Sequence, residues 1–162
     1  MNWATAALAL VGTVVGASIT LVADRVRWRR DQRERRLEAR RDVYAAYLAA
    51  LHVASEGLRA VSLGEHAPEV ARSSAARTVF RSANLGAARE QIVLSAHSPA
   101  VRAADETYRG LRTLRDVVGQ EHDHDSSSYQ EVLHRYQRAL KALRTTMRED
   151  LGTPPLDGDV AL

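Results

Sequence analysis

The sequence predicts an all-α protein: an N-terminal transmembrane helix continuing into a charged stalk and then an antiparallel four-helix bundle. Three observations carry that expectation. Residues Asn2 to Ala23 contain no charged side chain. Between Asp24 and Asp42 stand nine arginines and five acids. Beyond them, apolar residues recur at steps of three and four, in stretches separated by Gly, Pro and Ser, which is helical rather than strand periodicity. The expected segments are a transmembrane anchor over 1–24, an Arg-rich juxtamembrane stalk over 25–41, a helical bundle over 42–151 and a flexible tail over 152–162.

The anchor is argued from length and flanks. About 21 uncharged residues at ~1.5 Å each reach roughly 31 Å, the thickness of a bilayer's hydrocarbon core. Trp3 and Trp28, the only two tryptophans, bracket the run at headgroup depth. A cleaved secretion signal would need a basic leader, and none precedes the run. Cleavage after Ala17 would also leave an apolar stub ahead of the arginines. Arginines flanking a span stay on the cytoplasmic side, so the expected placement is a single-pass inner-membrane protein with its N-terminus outside and its C-terminal domain in the cytoplasm. Arg25, Arg27, Arg29, Arg30 and Arg33 are the candidates for contact with anionic lipid headgroups. Gly12, Gly16 and Thr20 share one face of the span and could pair two copies as a homodimer.

The stalk reads as charged all round, with Asp31 and Arg35, and Glu38 and Arg41, spaced to pair along the helix. A coiled-coil-like seam then begins: Leu37, Tyr44, Leu51 and Leu58 recur every seven residues, with Tyr47, Ala54 and Val61 three residues after the last three of them and Arg40 in the same place after Leu37. Gly64 and Pro68 end this helix. A second helix is expected from Glu69 to Ala96, with Phe80, Ala87 and Leu94 as its inner row and Asn84 and Gly86 as weak points. A third should begin at Ser98, as cap, with Pro99 in its first turn. It places Val101, Ala104, Tyr108, Leu111 and Val118 inward and stops near Gly119. The last is expected after a Ser128–Glu131 capping box, with Tyr129, Leu133, Tyr136, Leu140, Leu143 and Met147 on one face and a stop at Gly152.

Charge and composition exclude several functions. The whole chain carries +3 and the segment 24–42 carries +4, so everything beyond residue 42 sums to −1. A nucleic-acid-binding domain would spread its basic surface over the fold, and nucleic acid is disfavoured as a partner on that ground. With no cysteine there is no disulfide, thiolate metal site or cysteine nucleophile. "EHDHD" (121–125) contains metal-binding residue types, but a histidine pair in a solvated loop lacks the fixed ligands a metal site needs. No phosphate-cradling loop, catalytic triad spacing or dinucleotide fingerprint is present, so no catalytic, cofactor or metal residue is assigned.

The layout, from a short N-terminal span through "RRDQRERRLEARRDVYAAYLAAL" to a small helical domain, resembles a loose group of uncharacterised bacterial proteins from high-GC genomes. That resemblance implies no activity and no residue roles. The functional expectation is a membrane-anchored interaction or scaffold module working with a protein partner. The alternatives are an enzyme or small-ligand-binding bundle at the membrane, and a nucleic-acid tether through the stalk.

Overall fold

A computed structural model of the chain describes residues 3–120 and 123–153, with side chains from Arg25 onward except Val26. Among these residues the protein is all-helical, with α1 Trp3–Ser62, α2 Arg72–Ser82, α3 Leu85–Ser95, α4 Ser98–Gly119 and α5 Ser127–Asp150. The chain divides into two compact units, Met1–Ala39 and Arg40–Leu162. No helix among the described residues is long and apolar enough to cross a membrane. The side chains of 2–23, on which the anchor expectation rests, lie outside the described residues.

In the first unit α1 is unbroken from Trp3, and the arginines that follow are exposed. The i,i+4 pair expected between Asp31 and Arg35 does not form, and no charge between 25 and 39 makes an ion pair among the described residues. Exposed pairs of this kind gain only about 0.3–0.5 kcal/mol, so water competes well for both charges.

The second unit is a bundle of four rods, one of them broken. Its strand-free core follows from the seam in α1: Tyr44, Tyr47, Leu51, Ala54, Leu58 and Val61 are all at most 3% exposed. Each large aliphatic side chain so buried contributes about 1.5–3 kcal/mol relative to exposure. Neighbours run antiparallel. Ser73 packs on Gly119 and Phe80 on Tyr108, reading down α2 and up α4. Tyr136 of α5 meets Gly110 of α4, at similar distances from the connecting loop. Arg40 meets Asp150 while Tyr136 lies beside Ser55, which sets α5 against α1.

Helix ends are set by backbone chemistry. Gly64 at φ +85° closes α1: its N–H bonds Val61 O at 3.1 Å and the next N–H, of Glu65, reaches back to Ala60 O at 2.9 Å. Gly152 at φ +65° repeats the arrangement after α5, with Thr153 N to Arg148 O at 2.9 Å. Both are left-handed terminations that a residue with a Cβ adopts at a cost. The starts of α4 and α5 differ from expectation. The cap of α5 is Ser126, whose Oγ accepts from Tyr129 N at 3.3 Å, and Ser128 lies inside the helix. His97 precedes α4 in extended conformation without a side-chain cap, so Ser98 is the first helical residue.

The expected single helix over 69–96 is corrected to two. Asn84 sits at φ +52°, a left-handed conformation asparagine tolerates better than most residues, and it separates α2 from α3. The break resets the helical phase. Phe80 is buried as expected, but beyond Asn84 the buried residues are Leu85 and Ile92, while Ala87 is exposed and Leu94 is 86% exposed. A seven-residue row carried across the break therefore points the wrong way.

Gly57 marks a close approach of α1 and α2, where an added methyl would run into the Val79 side chain. Gly57→Leu is expected to cost about 1–3 kcal/mol by overpacking. Gly57→Ala should cost less, because better helix propensity of about 1 kcal/mol offsets the displacement of Val79. Urea denaturation of the two variants checks this order.

Candidate functional site

The exposed arginines of α1 are the first candidate surface. Arg25, Arg27, Arg29, Arg30 and Arg33 all point to solvent. At about 100° per residue, Arg25, Arg29 and Arg33 fall on one side together with Arg36, within an arc of about 80°. Arg27 and Arg30 fall on the far side. Sequence proximity to the uncharged run groups these residues by height along the helix, and the helix sorts them by face. Gly12, Gly16 and Thr20 lie on the helical part of α1, and their side chains are outside the described residues.

A second cluster ties the bundle together at one end. Asp150, the last residue of α5, accepts from Arg40 Nη1 through both carboxylate oxygens at 3.1 and 3.0 Å. The Tyr44 hydroxyl donates to the same carboxylate at 2.6 Å. His97 Nδ1 stands 3.2 Å from Asp150 Oδ1, but its alignment makes no hydrogen bond. A carboxylate at its own helix C-terminus is disfavoured by the helix dipole, and Arg40 supplies the compensating charge. The intrusion of Arg40 into the apolar seam is thereby explained. The cluster is a clasp between α1 and α5.

Other charged and aromatic side chains brace α2, α3 and α4. Arg89 Nε donates to Asp105 at 2.6 Å and its guanidinium lies 5.7 Å from the Tyr108 ring centre. Tyr108 meets Phe80 at 5.6 Å, and Arg115 caps Phe80 at 4.9 Å. These contacts hold the broken rod on α4 where its apolar row is interrupted.

Apart from the tyrosines, the buried polar residues among those described are Ser62 and Thr107, and each spends its hydroxyl on a carbonyl of its own helix, Arg59 O at 2.7 Å and Ala103 O at 2.8 Å. An open cleft of about 420 Å³ lies between the loops at the far end, lined by His66, Arg72 and Asp123 with Pro68, Val70 and Ala71. Arg72 and Asp123 neutralise each other there at 2.9 Å. No group of three metal-binding side chains occurs among the described residues. Glu121 and His122 lie outside them.

The sequence places all five tyrosines on core faces, and in the structure Tyr44, Tyr47, Tyr129 and Tyr136 are buried with Tyr108 at the edge. Burial pushes the hydroxyls of Tyr44, Tyr47 and Tyr136 above the ordinary value of 10.0, and for Tyr44 the hydrogen bond to Asp150 adds to it. A raised folded-state pKa contributes stability that is complete below the unfolded value and lost as pH climbs through the folded one. The bundle is therefore expected to lose stability above pH 10.0, with a slope of up to about 1.4 kcal/mol per pH unit for each such tyrosine. Denaturation midpoints measured across that range, with Tyr47→Phe showing a shallower slope, check it.

Compared with known proteins, the chain matches no family profile, no curated protein and no solved structure.

Proposed function

We propose that the protein is a single-pass membrane protein, N-terminus outside, whose helical domain stands in the cytoplasm as an interaction or scaffold module. The observation that carries this reading is the uncharged run Asn2–Ala23 in the sequence, followed after Asp24 by exposed arginines on the helix that is unbroken from Trp3. Length supports a span, and the arginines support its orientation. Arg25, Arg27, Arg29, Arg30 and Arg33 contribute attraction to anionic headgroups, on the order of 1 kcal/mol for each that reaches the surface.

An interaction role is favoured over a ligand-binding one by what the bundle displays. Its centre is apolar, whereas Val93 and Leu94 are adjacent, 45% and 86% exposed, on α3. Neither is among the residues packed in or against the core, which leaves their exposed surface free to serve a partner. Anchoring would hold that surface near the membrane and raise its effective concentration there.

Reporter fusions test the topology: a C-terminal reporter active only after export would reverse the orientation, and release of the chain from membranes by alkali would remove the anchor. Crosslinking and recovery of partners by the full chain, by a version lacking 1–23 and by Leu94→Asp tests the module. Specific partners kept by the first two and lost by the third are expected. Recovery of none by any version would end the scaffold reading.

A further inference from the structure

The described charges of the first unit are not distributed evenly around α1. Arg25, Arg29, Arg33 and Arg36 form one side that is wholly cationic. The far side carries Arg27, Arg30, Asp31, Glu34 and Glu38 within about 100° of arc, a mixture near neutrality. All of these residues are exposed, and none has an ion-pair partner within the chain among the described residues.

Helical continuity gives that sorting a consequence. Eighteen residues make about five turns of α-helix, so positions that far apart share a face. Gly12 stands above Arg30, Gly16 above Glu34 and Thr20 above Glu38 in this sense, on one unbroken helix. The face by which two spans can approach closely is thus the face on which the stalk is mixed in charge, and the cationic stripe is turned away.

We infer that the occupant of the mixed face is a second copy of this chain, forming a parallel dimer through α1. Across a twofold axis along the helices, Arg30 of one copy stands level with Asp31 of the other on the facing flank. Arg30 also lies one turn from the other copy's Glu34. Glu34 approaches its own symmetry mate near the axis, with an Arg30 from each copy beside it to offset the repulsion. Pairing through the opposite face would bring eight arginines together with no acid between them, which like-charge repulsion disfavours. A shallow crossing is required, because helices crossed at about −40° would carry the stalks apart before Arg30. The dimer leaves both cationic stripes outward, where the arginines nearest the bilayer meet anionic headgroups.

This inference rests on the membrane reading, since a shared bilayer holds two helices parallel and level. The chain has no cysteine, which makes the test direct. Single cysteines placed in turn at positions 25 to 38 of the full chain are oxidised in native membranes after alkali-resistant insertion has been verified. Disulfide dimers should peak at 27, 30, 34 and 38 and reach a minimum at 29, 33 and 36. With Glu38→Cys as the reporter, R30E should lower the yield of dimer roughly threefold to tenfold, and R30E with D31R should restore it. Inserted chains that crosslink equally all round, peak on the arginine stripe or never crosslink would overturn the dimer while leaving the anchor standing. Release of the chain by alkali would overturn both.

Discussion

Tyr47→Ala is expected to destabilise the bundle by about 3–5 kcal/mol, the range for deleting a large aromatic side chain from a packed core. Tyr47 is 0% exposed, and its hydroxyl donates to Ala104 O of α4 at 2.9 Å. The side chain therefore does two things: it fills the space between rods and joins two of them by a buried hydrogen bond. Tyr47→Phe separates the contributions, since it keeps the ring and loses only the bond, at about 1 kcal/mol. Tyr136 is the control. Its buried hydroxyl lies beside Ser55, whose own hydroxyl donates to His52 O, and it makes no hydrogen bond of acceptable geometry. Tyr136→Phe should leave stability unchanged or raise it by up to about 1 kcal/mol. Equal losses for the two phenylalanine variants, measured by chemical denaturation, would refute the assignment.

Asp150→Ala should cost about 2–3 kcal/mol. The carboxylate is only 9% exposed while its partner Arg40 is 30% exposed. Breaking a fully buried ion pair costs about 3–5 kcal/mol, and partial hydration of Arg40 places this one below that range. Removal strands both the guanidinium and the Tyr44 hydroxyl, which reaches the same carboxylate. Arg40→Ala strands the acid instead. The double variant should lose less than the sum of the two single changes by about 1 kcal/mol or more, because each single change already forfeits the shared contact. Strict additivity would mean that the clasp is a surface contact of no consequence. Asp150→Ala should also make the alkaline loss of stability shallower, since the carboxylate helps to raise the Tyr44 hydroxyl.

Much of the architecture was legible from local chemistry. The heptad of Tyr44, Leu51 and Leu58 with Tyr47, Ala54 and Val61 predicted the buried side of α1, because a regular helix preserves its phase over many turns. Gly64 and Gly152 predicted helix ends because few other residues take a left-handed termination cheaply. The α2–α3 segment was not legible in the same way. Asn84 is compatible with a helix interior and with a left-handed break, and only packing of Phe80, Leu85 and Ile92 against the other rods selects the break. The choice between Ser126 and Ser128 as cap likewise depended on where the α4–α5 loop lets the helix begin.

The sites divide along the same line. Sequence alone determined that charge is concentrated between 24 and 42 behind an uncharged run, because composition along a chain needs no folding to exist. It also determined the helical class and the inward face of each regular rod, since periodicity is a local property. Tertiary structure alone decided that Arg40, an apparent defect in the apolar seam, meets Asp150 from 110 residues away, and that Leu94 is turned to solvent. Contacts between distant segments depend on how rods dock, and docking is set by the sum of many packing interactions rather than by any short stretch of residues.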